Sequence, residues 1–269
     1  MALAELRYFS TALHKMTGAI VLLPEREEFG GPFPVFYLLH GLSDDYTAWT
    51  RKTRIEQHVQ DYPLIVVMPD GGRGFYTDAR EGYAYDTAIT RDLVALVDRT
   101  FHTDARRDAR AIGGLSMGGY GALRLALRHP DLFCSATSHS GALAVGGAPV
   151  DHTAELPDEF ADVFDADFGA ELRRLFGENP VGGPDDLRAL AEGVDRRMLP
   201  ALRIDCGTED VLLVENRAFH HVLETLGIPH EYAEYPGSHT WEYWDLHVQE
   251  ALAFHARNLG IQALTPTRP

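Results

Sequence analysis

Cysteine is scarce: the chain holds two in 269 residues, Cys134 and Cys206. Both fall in short apolar runs, and so few thiols in so long a chain exclude a disulfide framework and predict buried, reduced side chains. Positive charge is also in short supply, with 24 Lys plus Arg against 40 Asp plus Glu and a formal charge of −16. That balance argues against nucleic acid or an anionic membrane as partner and for a small, neutral substrate. The opening MALAELRYFSTALHKM lacks a basic start followed by a long apolar run. Neither a signal peptide nor a membrane anchor is therefore expected, and the expected location is cytoplasmic. Repeats, low-complexity tracts and a charged tail are missing too.

What is present is an alternation. Leu6–Leu23 reads as two strands joined by a turn near His14–Thr17, an antiparallel entry to a sheet. Short apolar runs follow at Val35–Leu39, Leu64–Met68, Ala109–Leu115, Phe133–Ser138, Leu202–Cys206 and Glu231–Tyr235. Between them, Thr90–Phe101, Met117–Arg128, Val211–Leu226 and Trp241–Asn258 carry apolar residues at helical spacing. Continuous apolar strands alternating with helices predict an α/β fold, a mostly parallel sheet covered on both faces. Residues 1–269 read as one domain. The exception to the rhythm is Ala142–Pro200, rich in Gly and Pro around short helical pieces, which reads as a cap-like insertion over the strand ends.

One stretch carries chemistry. In "RDARAIGGLSMGGYGALRLALRHP" a strand runs directly into Gly114-Leu115-Ser116-Met117-Gly118 and then into an amphipathic helix. A turn this tight needs small residues two before and two after the serine, and it leaves the hydroxyl projecting above the sheet. Met117, opening the helix, offers its N–H and the positive helix end to a forming anion. A phosphate-binding turn is the competing reading, but no Gly-Lys-Ser/Thr or G-x-G-x-x-G stands in register.

A serine nucleophile needs a base and the base an orienting acid, in the chain order serine, acid, histidine. Of the histidines beyond Cys206, namely His220, His221, His230, His239, His247 and His255, only His239 in "YPGSHTW" lies in a loop after a strand and before a helix. For the acid, "LRIDCGTEDVLL" offers Asp205, Glu209 and Asp210; Asp205 is still within the strand, and Asp210, past the Gly207 turn and just before a helix, is favoured. The second oxyanion donor belongs to the loop "HGLSDDYTAW", where His40-Gly41 lets the backbone approach the substrate and Leu42 is placed to donate its N–H. His40 has no second ligand at metal spacing, so no metal is expected.

Taken together, "FYLLHGLSDDYTAW", "LIVVMPDGGRGFYTD", "IGGLSMGGYGAL", "CGTEDVLL" and "YPGSHTWEYW" resemble the esterase D family of α/β-hydrolases, most closely its tributyrin-esterase-like bacterial members. The resemblance runs from about Val35 to Leu259. It implies the α/β-hydrolase fold, a triad of Ser116, Asp210 and His239, an oxyanion hole from Leu42 and Met117, and hydrolysis of short-chain carboxylic esters without a cofactor. Gly41, Trp49, Tyr76 and Trp241 are read as lining the substrate site. S-formylglutathione hydrolases and mycolyltransferases share the family, so thioester hydrolysis and acyl transfer are the alternatives. Formylglutathione hydrolases usually show G-L-T-C where this chain has Gly41-Leu42-Ser43-Asp44. A non-catalytic binding protein is disfavoured by the complete triad. The partner expected is a small-molecule ester, with no nucleic acid and no membrane; a homo-oligomer is compatible with all of this.

Overall fold

The computed structural model describes residues 1–25, 29–147 and 168–264. Its strands are β1 (Ala2–Ser10), β2 (Lys15–Leu23), β3 (Val35–Leu39), β4 (Ile65–Pro69), β5 (Arg110–Leu115), β6 (Ser135–His139), β7 (Ala201–Gly207) and β8 (His230–Tyr235). The helices are α1 (Ala48–Lys52), α2 (Ile55–Val59), α3 (Tyr85–Thr87), α4 (Val94–Thr100), α5 (Met117–Arg128), α6 (Phe168–Phe176), α7 (Leu187–Gly193), α8 (Leu213–Thr225) and α9 (Trp241–Leu259). The strands form one sheet in the order β1-β2-β4-β3-β5-β6-β7-β8. Only β1–β2 and β2–β4 pair antiparallel, and the rest is parallel.

Successive residues of a strand point to opposite faces, so a sheet covered on both sides needs apolar residues at every position. β3 shows this directly: Val35, Tyr37 and Leu39 enter one core, Phe36 and Leu38 the other. The first core packs α4, α5, α7 and α8 against the sheet; the second packs α1, α2 and α9. α9 is bounded by its own chemistry. Thr240 caps it by accepting from the Tyr243 N–H, and Gly260 ends it in the left-handed conformation.

The sequence-derived elements shift in places. The β1–β2 turn is Thr11–His14, so β1 starts four residues before the expected strand and the pairing is nine residues long. The expected helix Thr90–Phe101 is instead a π-helical stretch, Ala88–Leu93, leading into α4. Cys206 is buried as expected, but Cys134 sits just ahead of β6 and is only half-buried; both are free thiols. Of the expected insertion Ala142–Pro200, residues 148–167 lie outside the described residues, and the described part contains α6 and α7. Among the described residues no helix is long and apolar enough to cross a membrane.

Candidate active site

Ser116 lies between β5 and α5 with φ 51° and ψ −119°, a backbone state that non-glycine residues rarely adopt. The flanking glycines explain how the chain tolerates it. A methyl group at Gly118 would lie 2.6 Å from the carbonyl oxygens of Leu39 and His40, and one at Gly114 would lie 2.7 Å from the Leu39 carbonyl oxygen and the Gly118 backbone. Only hydrogen fits at either position. The serine N–H donates to the His139 carbonyl at 2.9 Å, which ties the bend to the end of β6.

The loops after β7 and β8 bring the other two groups. His239 Nε2 stands 3.1 Å from Ser116 Oγ, and His239 Nδ1 stands 3.1 Å from each carboxylate oxygen of Asp210. These loops are zipped together: Thr208 N–H donates to the Tyr235 carbonyl, Glu209 N–H to the Gly237 carbonyl, and Gly237 N–H to the Glu209 carboxylate at 2.6 Å. Gly207 permits this approach, because a methyl group there would lie 2.2 Å from the Gly237 oxygen. The Asp210 side chain is fully buried and that of His239 is 11% exposed. Burial pushes the Asp210 carboxyl up; hydrogen bonds and charge from His239, the Ser140 hydroxyl and the Leu212 N–H outweigh it and hold the group below its ordinary value.

Of the three candidate acids, Asp210 reaches His239. Asp205 points into the core, accepting from His139 Nδ1 at 2.9 Å and from the Tyr243 hydroxyl at 3.1 Å. Glu209 spends its carboxylate on Gly237 N–H and the Thr208 hydroxyl.

The loop after β3 lies against the serine: a methyl group at Gly41 would meet Leu115 Cδ1 at 2.7 Å and Ser116 Cβ at 3.6 Å. Among the described residues, neither the Leu42 N–H nor the Met117 N–H is taken by a backbone acceptor. His40 holds this loop from behind. Its Nε2 accepts from the Gly71 N–H at 2.8 Å and its Nδ1 meets the Gly41 carbonyl at 2.7 Å, which assigns the ring proton to Nδ1.

Two residues read as lining the substrate site do something else. Tyr76 is fully buried and donates its hydroxyl to the His40 carbonyl at 3.0 Å; Trp49 is 1% exposed and donates its indole N–H to the Leu39 carbonyl at 3.0 Å. Both brace the loop from the core side. Trp241 is half-buried and packs edge-on against Trp49 and Trp244. Trp244 itself went unnoticed in the sequence, yet its ring meets the His239 imidazole at 4.8 Å and its N–H donates to Ser140. Its only sequence signal is its place one turn into the helix after the histidine.

A nucleophile bend at the carboxyl end of a central strand, beside a histidine and a buried carboxylate, is the arrangement of a serine hydrolase on the α/β-hydrolase fold. The comparisons agree. The Esterase family model matches residues 10–255, and the chain belongs to that family of carboxylic ester hydrolases. An acetyl esterase of Caldicellulosiruptor saccharolyticus is 28% identical over 271 residues, covering 96% of this chain and 99% of that one. A substrate-bound structure of FphF, a fluorophosphonate-binding serine hydrolase of Staphylococcus aureus, superposes with a TM-score of 0.80 at 29% identity, covering 94% of this chain and 98% of that one. The S-formylglutathione hydrolase FrmB of the same organism gives 0.76 at 28% identity, with coverage of 94% and 98%.

Proposed function

We propose that the chain hydrolyses short-chain acyl esters through an acyl-enzyme on Ser116. Ser116 Oγ attacks the ester carbonyl while His239 Nε2 takes its proton. Asp210 keeps the other imidazole proton on Nδ1 and balances the charge that develops on the ring. The N–H groups of Leu42 and Met117 receive the oxyanion, backed by the positive end of α5. His239 then protonates the departing alcohol, and water repeats the cycle to release the acid. Residues 142–200 act in this reading as a cap on a single domain.

The observation that carries the proposal is the unbroken relay of contacts at 3.1 Å from Asp210 through His239 to a serine held at positive φ. The preference for short acyl groups draws support from the acetyl esterase relative and from the polar, Gly- and Pro-rich composition of 142–200. Similarity to FrmB favours a second reading, thioester hydrolysis. Against it stands Ser43-Asp44 in the loop after β3.

Two measurements test both. Ser116→Ala should lose at least about 10⁴-fold in kcat and all labelling by a fluorophosphonate, with the fold unchanged. Across p-nitrophenyl esters kcat/KM should peak at or below butyrate and exceed that for S-formylglutathione. A rise continuing through octanoate, where each methylene of an apolar tunnel would add about 0.8 kcal/mol, contradicts the short-chain assignment. Undiminished turnover in Ser116→Ala contradicts the mechanism.

A further inference from the structure

β1 is the outermost strand of the sheet, so no strand among the described residues pairs with its free side. Exposed edges of this kind are normally blunted by lysine, proline, a bulge or short length. β1 contains neither lysine nor proline, is nine residues long and keeps a continuous register with β2 from Ala2↔Leu23 to Ser10↔Lys15; its two exposed charges, Glu5 and Arg7, are of opposite sign. Its solvent face presents Leu3, Glu5, Arg7 and Phe9 in alternation. Leu3 is 47% exposed and Phe9 61%, and Met16, directly opposite Phe9 on β2, is 56% exposed. The Tyr46 hydroxyl accepts from Arg7 and donates to Glu5, both at 2.8 Å, which holds the two charges side by side along the strand.

This face complements itself. When a second copy runs antiparallel about a two-fold axis at Leu6, each Glu5 lies opposite Arg7 of the second copy and each Leu3 opposite Phe9. An apolar row then runs Met16, Phe9, Leu3 of the second copy. The registers two residues to either side fail on charge, one opposing Glu5 to Glu5 and the other Arg7 to Arg7. Slips by a single residue place exposed side chains against inward ones. Cross-strand pairs of opposite charge stabilise such a ladder and like charges oppose it.

From these observations we infer that the chain forms a homodimer through β1, two copies pairing antiparallel at Leu6 to join their sheets into one. The interface is isologous, closes with two subunits and leaves both copies of Ser116 outside it.

Sedimentation equilibrium on the full chain tests the register. The wild type should be a dimer. Glu5→Arg and Arg7→Glu each replace two attractive pairs with two repulsive ones and should weaken dimerisation about tenfold or more. The Glu5→Arg/Arg7→Glu double variant should recover it, and an equimolar mixture of the two single variants should give a mixed dimer. Ester turnover, to which neither residue contributes, reports that each variant is folded. A monomeric wild type overturns the inference, as does a dimer indifferent to both charges or a mixture that fails to pair. Hydrogen exchange on the wild type gives a check free of any variant: amides of Ala2–Ser10 should gain protection as protein concentration rises, and unchanged exchange overturns the proposal.

Discussion

Replacing Asp210 by asparagine changes one oxygen to an NH₂ group and leaves the volume alone. In the native site both carboxylate oxygens lie 3.1 Å from His239 Nδ1, while Oδ1 also accepts from the Leu212 N–H at 2.8 Å. The amide oxygen of the variant is claimed by that fixed N–H, which turns the NH₂ toward His239. A donor facing Nδ1 stabilises the tautomer with its proton on Nε2, and Nε2–H then points at Ser116 Oγ, where a lone pair is required. The expected loss is up to about 10⁴ in kcat near neutral pH, roughly 5 kcal/mol of transition-state stabilisation, with far less change in KM. Asp205→Asn and Glu209→Gln serve as controls. The first alters the buried contact with His139 and the second keeps an oxygen for Gly237 N–H, so both should stay within about tenfold in kcat, whatever Asp205→Asn does to stability. The assay is p-nitrophenyl acetate turnover on purified variants. Most of the activity surviving in Asp210→Asn, or an equal loss in either control, refutes the assignment.

Tyr76→Phe removes the hydroxyl that braces the His40 carbonyl and leaves a buried acceptor unpaired, a cost of about 1–3 kcal/mol. Because that carbonyl belongs to the loop bearing Leu42, kcat should fall more than KM rises, and steady-state kinetics showing the reverse would refute the bracing role. Asp86 is raised by burial but pulled down further, by His129 and Arg124, to a pKa of about 2. Its depressed folded value means that its stabilisation is complete above the ordinary carboxylate pKa and is lost as pH falls through about 2. Asp86→Asn, which leaves Arg124 buried beside one partner fewer, should cost about 3 kcal/mol at neutral pH, and the gap to wild type should narrow in acid. Urea unfolding at both pH values checks this, and a gap that does not narrow contradicts it.

The features legible in the sequence were those whose cause is local. Gly114 and Gly118 announce the bend because both lie within two residues of Ser116 and Gly114 packs on the Gly118 backbone, although the Leu39 and His40 carbonyls that also exclude a side chain there come from a distant strand end. His239 stood out by its place between a strand and a helix. What stayed hidden depends on distant partners. An aromatic residue beside glycines reads the same whether it faces a ligand or the core; only the fold shows Tyr76 turned inward to a carbonyl 36 residues away. The pairing of His139 with Asp205 spans 66 residues and has no local mark. α1 and α2, at five residues each, are too short for a periodic signal. The outward face of β1 extends beyond the strand that apolar content suggested, because its alternating polar residues dilute that content.

The bond from the Ser116 N–H to the His139 carbonyl has one more effect. It occupies the Ser116 amide, so in the proposed mechanism the oxyanion is left to the N–H of the next residue in the chain, Met117, and to that of Leu42. At both positions the proposed chemistry needs a peptide N–H and is blind to the side chain. Packing then separates the two: Met117 is 1% exposed in the core and is constrained by fit, whereas Leu42 is half-buried and comparatively free to drift. The one replacement closed to both is proline, which has no N–H to give.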